Sequence, residues 1–567
     1  TPHFSRKGEL VVKRILLCSL AAAMLLAAPR VCPAQKKDLS QIVTISFSGY
    51  DDLMKGVGMV GKVAGMPILT QMVEAKLQEA GMAEALNAID KKQPWVVALK
   101  TDAEGLAFPF QVFVPTSDVK KVLKSLPPVL GEPADAGDGV LEIKAPDRSI
   151  FLKQQGAWAV ISDKKDQVVD APADPVKLAG ALPEKYQLGV TVSVKSVPEG
   201  LRKKGVDMLG FFAQQAAQQR MPNESDEQFA ARGKLTQQSV EQLKTVINDL
   251  DAITVGVKLD EATSSAYLEY VLTMVPDSTS AKKMAKSAGA KAEHAGAILP
   301  GAAVALHATQ QLDPADIDQL KANFVVLRNN AMTELEKQGL PDEQAKLAKQ
   351  LAGDLMDVVQ KTLETGKLDA AASLKLSPKE LTLVAGLQIA DGGKLNSVIK
   401  KLIEQVAKDQ PEAAKLVKLN AEEHSGVRFH VVSVPLGMIP TEEERGKISA
   451  LVGENLDVVI GVGDTSLYLS AGRDAIATLK KAIDASKSGG KSLPPMEVSV
   501  AALPIAQFVA AVGDDNAKQG ATMIAKMLES ASGKDHVKVT AAYIPNGVQV
   551  RLQVEEGVLK ALGVIPM

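Results

Sequence analysis

The chain has 567 residues, 46% hydrophobic and 23% charged, with 65 Lys and Arg against 67 Asp and Glu. That length provides for about two to four globular units, and those fractions exclude wholesale disorder, collagen-like repeats and a polytopic membrane protein. With 2 Trp, 6 Tyr and 12 Phe, the aromatic platforms on which glycans and single-stranded nucleic acids stack are scarce.

At the start of the chain, Lys13-Arg14 precede an apolar stretch from Ile15 to Ala28, and small residues at Cys32 and Ala34 frame a cut before Gln35. This is the pattern of a secretory signal peptide over residues 1–34. Pro29 and Arg30 stop the apolar run short of the roughly 20 residues that a membrane-spanning helix needs. The expected product is periplasmic or extracellular and has no integral membrane span. Arg30 and Val31 do not make the small-residue box of a lipid-attachment site at Cys32. Both cysteines, Cys18 and Cys32, leave with the leader, so the mature chain is expected to carry no thiol. It would keep 60 basic and 66 acidic side chains, a net charge of −6 that argues against a nucleic-acid partner.

The mature chain opens with an alternating strand at Ile42–Ser48 and a helical stretch to about Ile89. A hairpin then pairs Trp95–Lys100 with Leu106–Val114, and a short helix covers Ser117–Leu126. The same order returns three times. Strand Gln187–Lys195 leads through helices to the hairpin Ala252–Leu259 and Tyr267–Met274, then a helix near Ser278–Ser287. Strand Ala302–Ala308 leads through two long helices to Asp369–Leu376 and Leu381–Ile389, then Lys394–Lys408. Strand Glu497–Ala502 leads to Val537–Tyr543 and Val548–Val554, then Gly557–Leu562.

Between the first and second series lie extra strands, Val140–Lys144, Ile150–Lys153 and Trp158–Ser162. Val427–Val434, Asp457–Val462 and Leu467–Ser470, with helix Arg473–Ala485, are their counterparts between the third and fourth. The expected fold is α+β, with duplicated antiparallel sheets and long helices inserted between strands as β-α-β-β-α units. The halves fall at 35–298 and 299–567. Adjacent lysines at 120–121, 282–283 and 400–401 mark the same short helix in three of the series and read as solvated helix faces.

Chemistry-bearing motifs are few. Gly56, Gly58 and Gly61 have dinucleotide-loop spacing but fall inside a helical pattern, away from any strand-to-helix turn, so close helix packing explains them better. Gly490-Lys491-Ser492 follows a helix and precedes a strand, the wrong order for a phosphate loop, and reads as a linker. Ser117/Lys120 and Ser162/Lys165 have S-x-x-K spacing without companion elements and read as capped helix starts. His424 and His430, with Glu422 and Glu423, form the densest group of metal-ligand side chains. With His424 placed in the turn before the strand at Val427, sharing a metal requires an unexplained bend, and two unrelated surface histidines are the plainer reading. Asp135, Asp138 and Glu142 lack the alternating ligands of a calcium loop. No catalytic residue, metal ligand or cofactor is assigned.

The repeat pattern from Gln41 to Leu562, with features such as Ile460-Gly-Val-Gly-Asp-Thr-Ser-Leu-Tyr-Leu469, resembles uncharacterised exported bacterial proteins that pair a signal peptide with repeated α+β units. That resemblance implies fold and compartment and no activity. Three readings of function stand beside one another: a non-catalytic binding or scaffold protein, a periplasmic carrier of an apolar ligand such as lipid, and a hydrolase using carboxylates only. Met208-Leu-Gly-Phe-Phe212 would suit an apolar cavity or the core. The segment Pro435–Leu456 is the clearest insertion in the second half. Glu442, Glu443 and Glu444 after Thr441 begin a helix whose stripe Ile448, Leu451 and Val452 must bury against something. Together with Met438 and Ile439 at its tip, this segment is the candidate partner contact or lid, against a helix simply packed on its own domain.

Overall fold

The computed structural model describes residues 38–564 except 64, 80–82, 125–131, 145–147, 221–223, 225, 439–441, 489–492 and 532. The expected signal peptide and the sequence Gly490-Lys491-Ser492 lie outside the described residues. The chain is α+β. It forms two compact units, one from the described residues up to 61 with 66–208 and 250–259, the other from 62–65, 209–249 and 260 onward.

In the first unit the strands are β1 (Ser40–Phe47), β2 (Trp95–Thr101), β3 (Phe110–Pro115), β4 (Ala134–Asp135), β5 (Val140–Lys144), β6 (Ser149–Gln155), β7 (Trp158–Ser162), β8 (Leu188–Ser193) and β9 (Leu250–Asp260). They pair antiparallel throughout in the order β9-β8-β1-β2-β3-β7-β6-β5-β4. Alternation sets the faces: Ile42, Thr44 and Ser46 of β1 are buried while their neighbours are half-exposed. Helices α1 (Tyr50–Val63) and α2 (Leu69–Glu79) follow β1, and α3 (Val119–Lys124) follows β3. Val119 packs with Val114, Ile143, Leu152 and Ala159 in a core that Trp95 also borders; Trp158 is buried as well.

Gly56, Gly58 and Gly61 all lie within α1, as the helical pattern implied. A Cβ on Gly61 would stand 2.7 Å from the Met66 carbonyl, so these glycines serve close packing. The cap of α3 is Asp118 rather than Ser117: its carboxylate accepts from the amides of Lys120 and Lys121. Ser162 ends β7, where its hydroxyl donates to the Phe110 carbonyl and accepts from the Lys164 amide.

Chain order continues with α4 (Glu199–Gln218) and α5 (Asp226–Asp249), then β10 (Ser265–Met274) and α6 (Thr279–Ser287). Next come β11 (Val304–Gln311), α7 (Pro314–Lys337), α8 (Asp342–Glu364), β12 (Lys367–Ser377), β13 (Glu380–Gln388) and α9 (Gly392–Asp409). They are followed by β14 (Val417–His424), β15 (Val427–Pro435), α10 (Glu442–Val452), β16 (Asn455–Val462), β17 (Ser466–Gly472) and α11 (Ala475–Lys487). The last are β18 (Met496–Ala501), α12 (Ala502–Val512), α13 (Asp515–Glu529), β19 (His536–Ile544), β20 (Gly547–Glu555) and α14 (Glu556–Val564).

The second unit's strands run β10-β20-β19-β18-β11-β12-β13-β17-β16-β15-β14, again antiparallel at every pairing. Two-residue turns close its hairpins at Ser377↔Glu380 and Ile544↔Gly547, the latter with Asn546 at φ +54°. Its largest core sets Phe429, Val431, Val459 and Val384 of the sheet against Leu479, Ala482 and Ile483 of α11. On α9 and α8, Leu395 and Val358 pack with Ile389 and Val462.

The start of α9 is fixed twice. Gly392 sits so close to the Gly463 carbonyl that a Cβ there would stand 1.8 Å from it. Asp391 accepts the Lys394 amide at 2.8 Å and the Lys361 ammonium at 2.6 Å, and the Lys361 bond foremost holds its carboxyl below the usual range. Asp391→Ala is therefore expected to cost about 1 kcal/mol and Asp391→Asn distinctly less, read from urea midpoints. The lysine pairs divide: Lys120 and Lys121 are exposed, whereas Lys283 binds Asp316 and Lys401 binds Asp354.

Strand β14 was not expected. Lys418, Asn420, Glu422 and Glu423 break the apolar alternation that marks its neighbours, and it lies at the edge of the order, where charged residues are the rule. Its presence moves His424 out of a turn and onto the end of a strand.

Candidate functional site

The segment expected to contact a partner becomes α10, joined to β15 by a 3-10 turn over Leu436–Met438. Leu451 and Val452 are buried and Ile448 is partly so; they pack with Leu436, Leu381, Leu456, Phe508 and Val512. These three side chains are thus turned to the protein's own interior, and α10 would have to lift away to offer them to a partner. Ile439 and the side chain of Met438 lie outside what is described.

The described histidines are each committed to a bond. His424 meets Asp484 on α11 at 2.7 Å, and Glu422 pairs with Lys480 on the same helix. His430, by contrast, is 1% exposed, which corrects its expected place at the surface. Its Nδ1 accepts from the Asn420 amide at 3.2 Å and its Nε2 lies 2.8 Å from Asn396 Oδ1 on α9. The first bond requires a bare Nδ1, so the neutral ring carries its proton on Nε2 and donates to Asn396. Burial, helped by Lys400 and Arg428, pushes the imidazole below its ordinary pKa. Among the described residues no three His, Cys, Asp or Glu come together as a metal site. Asp135 instead caps the Gly137 amide and Asp138 pairs with Lys165.

His294, also buried, places Nδ1 2.6 Å from Asp369 Oδ2, which accepts the His294 backbone amide too, at 3.0 Å. The ring lies 5.4 Å from that of Tyr468. Burial raises the Tyr468 phenol, against hydrogen bonds to Ser486 and Ser466. The arrangement ties residues 294–297 onto β12 and β17. In the first unit, Lys100 Nζ donates to Gln167 Oε1 at 3.2 Å while Gln111 donates to the Gln167 carbonyl at 2.6 Å. Burial lowers the Lys100 ammonium, with Asp166 and Asp170 opposing. Its bond to Gln167 fastens the short helix Lys165–Val169 to the sheet.

Large apolar side chains stand in solvent on the long helices. On α4, Leu209 is 47% exposed, Phe211 60% and Phe212 56%, the two phenyl rings meeting edge to face at 5.9 Å. Met208 is exposed as well, so this run is neither cavity lining nor core. Gly210 turns the other way, toward Val240 of α5. A groove of about 470 Å³ lies between α5 and α7, lined by Gln237, Gln238, Glu241 and Gln242 and by Ala315, Asp318, Gln319 and Ala322. Amides and carboxylates suit a hydrated or hydrogen-bonding occupant, not a lipid chain.

Among the described residues no helix is long and apolar enough to cross a membrane. Comparison with protein-family models, with curated proteins and with solved structures finds no match for this chain.

Proposed function

We propose that this is an exported, non-catalytic binding or scaffold protein, which recognises a protein or another apolar-faced partner through the exposed middle of α4. The observation that carries the reading is the solvent-facing group Leu209, Phe211 and Phe212. Contiguous exposed apolar side chains of this size mark interaction surfaces more often than idle surface. The described histidines point the same way, each being spent on a structural bond. Of the other readings, the lipid carrier gains nothing from a groove walled by amides and carboxylates.

The reading includes a tandem duplication with halves 35–298 and 299–567. Its support is the strand order: β8-β1-β2-β3-β7-β6-β5-β4 has the same sequence of connections as β18-β11-β12-β13-β17-β16-β15-β14. Superposing the hairpins β2–β3 and β12–β13 with their sheet neighbours tests it, and non-equivalent positions would sink it.

The partner test uses full-length protein from its own host. Native mass spectrometry is expected to find a bound partner that is lost when Phe211 and Phe212 are both replaced by Asp. Stability should change by no more than about 0.5 kcal/mol, as for other exposed positions. Retention of the same partner by that variant would refute the assignment of the surface. An intact mass beginning at Gln35 is expected for the exported form.

A further inference from the structure

The pairing of β14 with β15 has an irregular centre. Lys418 stands opposite Val431 and Glu422 opposite Phe429, so three residues, 419–421, span the place of one, His430. Asn420, at φ +47°, is the middle of this bulge. Its amide cannot use the regular ladder, and the acceptor it finds is the imidazole Nδ1 of the residue opposite. Asn396 on α9 fixes the ring from its other side.

We infer that His430 is an acid-sensitive latch: its unprotonated Nδ1 holds the bulged centre of edge strand β14 in place, and protonation releases that segment. A proton on Nδ1 would set N–H against the Asn420 N–H, converting an attraction into a clash while leaving the Asn396 bond intact. The surroundings offer the imidazolium no relief. Lys400 on α9 and Arg428 on β15 are cations, and the residue paired with His430 on β16 is Ile460. On β14, Lys418 and Glu422 flank the bulge, and the Glu422 carboxylate is already engaged by Lys480.

The sign follows from the proton count. Burial places the folded-state pKa of His430 below the ordinary imidazole value of about 6.5. The closed form therefore binds protons less well than the open one. The latch is at full strength above about pH 6.5 and weakens as the pH falls toward the folded-state pKa, because the opened segment takes up the proton first.

Hydrogen exchange of the full chain, corrected for the intrinsic pH dependence, reads the latch directly. Protection of amides 418–422 is expected to fall by about tenfold between pH 7.5 and 5.0, while that of β12 and β13 holds. His430→Gln, whose side-chain oxygen can accept from Asn420 at any pH, should abolish the fall, and His424→Gln should leave it unchanged. Constant protection in the parent, or a fall that persists in His430→Gln, overturns the proposal. Should His430→Gln not fold, ¹⁵N-histidine spectra of the parent decide instead: a protonated His430 Nδ1 at pH 7.5 would refute the latch.

Discussion

Replacing Phe429 with Ala is expected to destabilise the second unit by about 3–5 kcal/mol. Phe429 is wholly buried, and its partner across the β15–β16 pairing is Gly461, which leaves room for the ring. A Cβ at Gly461 would stand 2.9 Å from Val427 and 3.2 Å from Leu479, so side chains already close in around this spot. The core there joins two strand pairs to α11, and removing the ring opens a void that none of its neighbours can fill without leaving its own contacts. Phe429→Leu, which keeps most of the volume, should cost less than half as much. Urea unfolding of the two variants checks both values; a loss under about 1 kcal/mol for the Ala variant would contradict a close-packed site.

Arg551→Ala is expected to cost about 3–5 kcal/mol as well, by a different route. Glu269 on β10 has a side chain only 5% exposed, and Arg551 on β20 reaches it at 2.6 Å and 2.8 Å through two guanidinium nitrogens. Arg551 also stacks 4.4 Å from the centre of the Tyr267 ring, while Gln549 donates to the same carboxylate at 2.7 Å. Removing the arginine leaves a buried carboxylate without its cation. Glu269→Ala should be milder, because Arg551 is 37% exposed and can turn its charge to water. Replacing both by Met should recover most of the loss, since a buried pair gives little net stability over apolar groups of similar volume. Equal penalties for the two single variants would show that the lost contact, and not the buried charge, is what matters.

These sites differ in how far the sequence reveals them. Strands such as Val140–Lys144 and Trp158–Ser162 were legible to the residue, because apolar periodicity and turn residues agree there. The long helices α7 and α8 and the hairpin they lead to were legible for the same reason. β14 was not, since an edge strand interrupted by a left-handed Asn has no apolar period to read. The insertion at α10 was recognised as a helix with a stripe to bury, but what receives that stripe includes Phe508 and Val512, distant in sequence. His430 was singled out for its chemistry, yet its partners Asn396 and Asn420 carry no local signal. Glu269 did leave one: a lone carboxylate within Tyr267-Leu-Glu-Tyr-Val271.

The pairing of β10 with β20 also orders events in folding. Residues 265–273 find their partners at 547–555, so almost half the chain has to be in hand before this edge of β10 can close. Contacts so remote in sequence form late, after the loop-closure entropy between them has been met. Until then β10 presents a row of free amides and carbonyls, bordered by tyrosines and aliphatic residues, to any other nascent chain. Glu269 makes that edge a poor template, because an intruding strand would have to bury the carboxylate without a cation beside it. The rightful strand brings Arg551. The same carboxylate that adds little to the finished fold thus protects the unfinished one, and a Glu269→Met chain is expected to aggregate during refolding at concentrations where the parent does not.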